Sequence, residues 1–352
     1  MKFLLKEIIN FIFILFLLPL SFVIFIFNYN KVYKCDLLIY QKKGGFGHTF
    51  TLQDLLRYEF ADKKIVYLHF YDPSRHNMRL NKIFGHKTIT LPTVFYSNFL
   101  KTRFGEYEGS FFKIIETIIL VFIKNKLSIN QFYLYLEKKY KNSQIKKKDI
   151  NRWTDIYFDL LKKKKKKINF FSNRLHLKNK ICTIYLRSKN SKHNLSNSLR
   201  SGSSDTKVYF DMINYLIKKN YIIYLVGEDV FSINEMKIFK GKVMDYRTIN
   251  LSKKYFQIYA AVNCDLFISE TGGGHWFGIY AKKSILINCL PYGYKPFNFQ
   301  KVLYKKVIDR NNTEMSYKKA NKTFYMSYKK IKKYTVVNNT SKELLTLIRS
   351  IV

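Results

Sequence analysis

The chain has 352 residues, enough for two domains or one large one, and 47% of them are hydrophobic, which excludes wholesale disorder. Lys and Arg number 63 against 24 Asp and Glu, a formal charge of +39. The basic residues run through every segment instead of forming one stripe, and no nucleic-acid-binding motif accompanies them. The charge therefore points to an anionic lipid surface or an anionic substrate, not to nucleic acid.

Taken in chain order, the first feature is Ile8 to Phe27, in which only Asn10, Pro19 and Ser21 fall outside the large apolar types. A helix needs about 20 such residues to cross a bilayer. Asn28-Tyr29-Asn30 offers no small-residue cleavage site, so the segment reads as an uncleaved anchor over residues 1–30. Lys2, Lys6 and Glu7 precede it, and Lys31, Lys34, Lys42 and Lys43 follow, which favours a cytoplasmic side for the rest of the chain. Pro19 in the middle also allows a kinked helix that re-enters on one side.

Lys34 to Gln41 reads as a strand, followed by Gly44-Gly45-Phe46-Gly47-His48. Thr51 to Phe60 places Leu52, Leu55, Leu56 and Phe60 at helical spacing, and Ile65 to Phe70 is a second strand. Strand, glycine loop, helix and strand open a doubly wound α/β domain. Phe111 to Ile123 reads as an apolar helix, buried or lying on a membrane surface, and Leu127 to Leu161 as a charged helix. Lys162 to Lys167 is an unbroken lysine run, and a domain boundary is expected near residue 175.

The alternation then restarts. Strands are expected over Ile181 to Leu186, Tyr221 to Val226, Asp265 to Ser269 and Ser284 to Cys289. Helices are expected over Asp205 to Lys219, Lys254 to Val262 and Trp276 to Ala281. Cys35, Cys182, Cys264 and Cys289 form no CxxC pair and read as buried free thiols in a reducing compartment. The domains are thus an anchor over 1–30, an N-terminal Rossmann-like domain over 31–175 and a C-terminal one over 176–352.

The strongest chemical signal is Ser269-Glu270-Thr271-Gly272-Gly273-Gly274-His275-Trp276, between a strand and a helix. Consecutive glycines let backbone approach a ligand and adopt positive φ, and a helix N-terminus presents free N–H groups to phosphate. Glu270, Thr271, Gly272, Gly273, Gly274 and His275 are accordingly the expected phosphate-binding residues. Arg187, at the end of its strand, can fork onto the same anion. Ser188 to Ser204 reads as a polar loop beside it. Gly44, Gly45 and Gly47 form a second loop at a strand end, and His48 beside them is placed to deprotonate a hydroxyl. Asp72, with Arg75 and His76 nearby, is the alternative base. Asp245-Tyr246-Arg247 is a further polar cluster.

Thr271-Gly272 followed by His275, after a strand and before a helix, resembles the donor loop of heptosyltransferase-like enzymes. Residues 180 to 295 more widely resemble bacterial surface-polysaccharide glycosyltransferases, through Leu186-Arg187, Asp205, Tyr209, Tyr221 to Gly227, Asp245-Tyr246 and Cys264 to Gly274. Glu270 stands where such loops carry Asp or Ser, Gly273 where Pro is common, and Leu186 where a His often precedes the arginine. The resemblance implies a GT-B fold, two Rossmann-like domains facing across a cleft, with a nucleotide-sugar donor on the second. It implies no metal and no cofactor beyond that co-substrate, and a glycan or lipid-linked acceptor met by His48 or Asp72. An inner-membrane location in a bacterium follows, with the catalytic domains cytoplasmic. A pyruvyl- or phosphoryl-type polysaccharide-modifying transferase and a non-catalytic membrane-bound assembly protein are the competing readings.

Overall fold

The computed structural model describes residues 19–20, 23–24, 26–41, 55–56, 59–60, 62–70, 87–91, 126–128, 179–187, 199, 202–249, 253–291, 300–324, 331 and 333–352. The chain divides into two compact units, Met1–Lys138 and Lys139–Val352. The boundary expected near residue 175 falls outside the described residues.

The first unit carries a sheet of β1 (Leu37–Gln41), β2 (Ile65–Phe70), β3 (Lys87–Leu91) and β4 (Lys126–Ser128), in the order β3-β2-β1-β4. All three strand pairings are parallel. Lys126–Ser128 is therefore a strand, where the charged sequence predicts the start of a helix at Leu127. Three residues are too few for an alternation signal, and pairing with β1 decides them. A helix precedes β1 and ends at Tyr33, with Val32 and Cys35 buried at its foot. Asp36 fixes that foot, its carboxylate accepting the Lys64 N–H at 2.7 Å where β2 is about to begin. Among the described residues no helix is long and apolar enough to cross a membrane. Most of Ile8 to Phe27 lies outside them, as do Phe111 to Ile123 and Lys162 to Lys167.

The second unit is built on β5 (Lys180–Leu186), β6 (Tyr221–Gly227), β7 (Val243–Met244), β8 (Leu266–Glu270), β9 (Lys283–Cys289) and β10 (Gln300–Tyr304). Their order is β10-β9-β8-β5-β6-β7, and every pairing is parallel. Numbered within the unit, this is the order 6-5-4-1-2-3 of a doubly wound Rossmann sheet, whose direction of winding reverses between β5 and β8. Parallel strands covered on both faces read as continuous apolar runs, and β6 and β8 are buried along almost their whole length.

Period-two alternation then sorts the side chains. Ile223, Leu225, Leu266, Ile268, Ile285 and Ile287 face one layer. There they meet Met212, Ile213 and Leu216 of α1 (Phe210–Lys218) and Leu344 and Ile348 of the C-terminal helix. Tyr224 points the other way and packs edge-on against Phe256, ring centroids 5.4 Å apart. Phe256 belongs to α4 (Lys253–Asn263), which is tied to the sheet by Thr183 Oγ1 donating to the Ala260 carbonyl at 2.7 Å. Between α1 and α4 lie two short helices, α2 (Ile233–Lys237) and α3 (Tyr246–Ile249). All four cysteines are buried free thiols, as expected.

The C-terminal part adds α5 (Tyr317–Phe324), an antiparallel pair of β11 (Lys306–Ile308) with β12 (Thr335–Val337), and α6 (Ser341–Arg349). Thr340 caps α6 through a reciprocal pair of bonds with Glu343. One further device bears on the site. The β9/β10 ladder slips between Leu286 and Cys289, leaving Ile287 and Asn288 opposite a single residue. Asn288 takes φ 49° there, a left-handed conformation that asparagine tolerates. Its peptide N–H and side-chain oxygen pair reciprocally with Asn339, at 2.6 and 2.8 Å.

Candidate functional site

In an open α/β sheet, ligands bind beyond the carboxyl ends of the strands, where the winding reverses. In the second unit this point lies between the ends of β5 and β8, where Arg187 and Glu270-Thr271 emerge. The sequence-predicted donor residues thus come together. Arg187 Nη1 donates to the Thr271 carbonyl at 2.9 Å, and the Arg187 peptide N–H donates to Glu270 Oε2, also at 2.9 Å.

Glu270 is fully buried. Oε1 accepts the Tyr209 hydroxyl at 2.8 Å and the Asn288 amide at 3.1 Å, and the Gly202 N–H also reaches the carboxylate. Burial pushes its carboxyl above the ordinary range, while these bonds and the charge of Lys305 pull the other way. Glu270 therefore lies beneath the glycine loop, with its carboxylate turned to protein donors. A side chain able to accept four hydrogen bonds has them supplied by protein donors.

The glycines also act differently from expectation. Gly272 has φ 164°, which is extended backbone, and the φ values in the range that favours glycine belong, among the described glycines, to Gly227 and Gly241. What Gly272 and Gly274 provide is room. A Cβ on Gly274 would lie 2.1 Å from the Tyr185 ring, and one on Gly272 would lie 2.5 Å from Arg187 Nη1. The chain then runs into a 3₁₀ helix, Gly273–Tyr280, where an α-helix was predicted to begin. Its tighter winding keeps Gly278 close to Ser284 Oγ of β9, only 2.3 Å from where a Cβ would stand.

His275 is buried, with Nδ1 against the Gly272 peptide, whose N–H it accepts at 3.4 Å. Thr271 is also buried, and among the described residues its Oγ1 has no hydrogen-bond partner. Of the residues from Thr271 to His275, Gly273 is the one that reaches the surface in part.

Sequence reasoning missed the continuation of this edge. Beyond β6 and β7 opens a shallow cleft, lined among others by Gly227, Asp229, Tyr246, Arg247, Lys253 and Gln257. The Asp245-Tyr246-Arg247 cluster forms one wall. Arg247 is locked by Asp245, Nε to Oδ2 at 2.7 Å, and by the Phe231 carbonyl at 2.6 Å. The Tyr246 ring presents its face to Lys253, whose ammonium lies 5.2 Å from the ring centroid. Asp229 accepts from Tyr246 at 2.9 Å and Lys253 at 2.8 Å. Burial raises the Asp229 carboxyl, but the Lys253 and Tyr246 bonds outweigh it and hold the group below its ordinary value. The acidic pair Glu228-Asp229, directly after the second strand of a Rossmann half, was the available signal.

Gly44, Gly45, Gly47, His48 and Asp72, with Arg75 and His76, lie outside the described residues. Among the described residues no group of His, Cys, Asp and Glu is arranged to hold a metal ion.

No protein-family model matches the chain, and no curated protein matches it. Solved structures do. The Escherichia coli heptosyltransferase WaaC with ADP-2-deoxy-2-fluoro heptose is 11% identical, over 81% of this chain and 96% of that one, with a TM-score of 0.39. Escherichia coli ADP-heptose LPS heptosyltransferase II is 9% identical, over 89% and 98%, at a TM-score of 0.43. A glycosyl transferase family 9 protein from Veillonella parvula is 11% identical, over 89% and 96%, at 0.42. Likeness at this level leaves the activity of this chain to be argued from its own site.

Proposed function

We propose that the protein is a GT-B-type, metal-independent glycosyltransferase that moves a sugar from a nucleotide-sugar onto a glycan or lipid-linked acceptor. The observation that carries this reading is the meeting of Arg187 and Thr271 at the point where the second sheet reverses its winding. A guanidinium, a buried hydroxyl without a partner among the described residues and the start of a glycine-rich 3₁₀ helix there supply donors suited to a diphosphate. The neighbouring cleft beyond β6 and β7 lies along the same sheet edge. Glu228 or Asp229 offers an acceptor for ribose hydroxyls.

In the reaction, the acceptor oxygen bonds to the anomeric carbon as the bond from that carbon to the nucleoside diphosphate breaks. The acceptor proton passes to His48, or else to Asp72. The charge left on the departing diphosphate is stabilised by Arg187 and the N–H groups near Gly273. The test is titration of nucleotide-sugars into the full chain. Gly273→Asp sets a carboxylate at the exposed point of the loop and is expected to abolish binding; unchanged binding overturns the donor site.

We place this activity at the cytoplasmic face of a bacterial inner membrane. The helix ending at Tyr33 exposes Leu20, Val23, Ile26 and Phe27, the last with 82% of its surface open. A turn further on, the same side carries Asn30, Lys31 and Lys34, all exposed. Polarity thus changes along the helix axis, not around it, which fits a helix leaving a bilayer better than one lying on it. Tyr29 and Tyr33, ring centroids 6.0 Å apart, sit at the transition, where interfacial aromatics concentrate. Exposed Lys63 and Lys64 beside the helix foot extend the basic collar toward anionic headgroups.

A further inference from the structure

The buried carboxylate of Glu270 joins two stretches of backbone that sequence separates. Its Oε2 takes the Arg187 N–H, where the chain leaves β5. The same carboxylate takes the Gly202 N–H, where the chain approaches the 3₁₀ turn Thr206–Tyr209 that leads into α1. One side chain therefore fixes the main chain on both sides of residues 188–201.

The surroundings leave the carboxylate little freedom. A Cβ on Gly202 would stand 1.9 Å from Oε1, 2.1 Å from the Tyr209 hydroxyl and 2.5 Å from Asn288 Nδ2. Tyr209 and Asn288 both donate to Oε1, and Asn288 is held in turn by the β9 bulge and Asn339. Lys305, also buried, donates to the Leu199 carbonyl at 2.8 Å and balances the charge of Glu270. Arg187 is then gripped twice by consecutive residues, through its peptide N–H by Glu270 and through its guanidinium by the Thr271 carbonyl.

We propose that Glu270 is a positioning residue: by bonding the Arg187 and Gly202 amides from beneath, it holds the Arg187 guanidinium ready for an anionic ligand that Glu270 itself never touches. The ligand part rests on the donor reading above; the backbone part does not.

Two measurements separate them. Hydrogen exchange at the Arg187 and Gly202 amides reports the backbone directly. In the native chain both are expected to exchange as slowly as the β8 ladder, and both to speed up in Glu270→Gln or in Gly202→Ala. Should Glu270→Gln fail to fold, Gly202→Ala and the native chain still decide the point. Native amides that exchange as fast as exposed loops, or variant amides unchanged, overturn the proposal.

The second measurement is a double-mutant cycle on the affinity for UDP and ADP, at temperatures where circular dichroism shows every variant folded. Loss of one charge-assisted contact corresponds to about a 10-fold weakening. Glu270→Gln is expected to weaken binding by about that factor in the native background and by less than about 2-fold in an Arg187→Met background, since it acts through Arg187. An equal loss in both backgrounds overturns the positioning role. If the native chain binds neither nucleotide nor any nucleotide-sugar, the donor reading falls, and amide exchange still judges the backbone claim.

Discussion

At the scale of single residues, the carboxylate of Glu270 is held by protein donors beneath the glycine loop. The strand–glycine–helix pattern marks it out, but a pattern does not tell which way a side chain turns. Glu270 is the last residue of β8, and the pleat sends it inward, beneath the loop. It has one methylene more than the aspartate that similar loops carry, which lengthens its reach toward Arg187, Gly202, Tyr209 and Asn288. Its raised carboxyl makes a prediction about pH. A group whose folded value lies above its unfolded one contributes fully below the unfolded value, and that contribution fades as pH rises through the folded value. Glutamine does not titrate. The melting temperature of the native chain relative to Glu270→Gln should therefore rise as pH is lowered from about 7 to about 5, by thermal melts of both. A pH-independent difference would remove the charge from the account. Gly274 makes a steric prediction. Gly274→Ala drives a methyl into the Tyr185 ring and should cost about 1–3 kcal/mol in urea unfolding. Adding Tyr185→Leu should return part of that loss; no recovery would mean that the glycine serves something other than room for the ring.

At the scale of elements, the sheet strands of the second unit were legible up to β9 because they are buried on both faces and so read as unbroken apolar runs. The short β7 and β4 gave weaker signals. Val243-Met244 was noticed only as an apolar pair, and Lys126–Ser128 was absorbed into a charged helix. The 3₁₀ form of Gly273–Tyr280 was invisible, since it depends on how closely Gly274 and Gly278 approach Tyr185 and Ser284. Beyond Cys289 the elements are short and mixed, and no periodic stretch announced β10 to β12. The helix α6 could have been found from its capping box, Thr340 with Glu343, ahead of Leu344 and Ile348. Thr340→Ala should lower the stability of the second unit by about 1 kcal/mol. Thermal unfolding that does not change would show the cap to be idle.

At the scale of the whole molecule, the charge of +39 and the N-terminal helix make one statement about partners. Lys31, Lys34, Lys63 and Lys64 contribute attraction near an anionic surface, about 1 kcal/mol each, and salt should weaken only that part. The full chain is expected to float with phosphatidylglycerol-containing vesicles and to stay bound at high salt. A chain lacking residues 1–30 should bind weakly and be released by salt. Equal release of both forms would exclude insertion and leave charge alone. Two Rossmann-type sheets were readable from the recurrence of strand, glycine loop and helix in each half. The cleft beyond β6 and β7 was not, because its walls come from Asp229, Tyr246 and Lys253, which converge only once three strands are side by side.

The reciprocal bond between Asn288 and Asn339 has a consequence in time as well as space. Asn288 holds Glu270, Glu270 holds the ends of the Arg187–Gly202 stretch, and Asn339 leads into α6, whose Leu344 and Ile348 complete the core beside α1. During synthesis the first unit, with its helix foot and sheet, can form early. The cluster around Glu270 cannot be finished until Ile348 has left the ribosome. A nascent chain stalled short of that residue would carry Arg187 and the glycine loop yet hold them in no fixed arrangement.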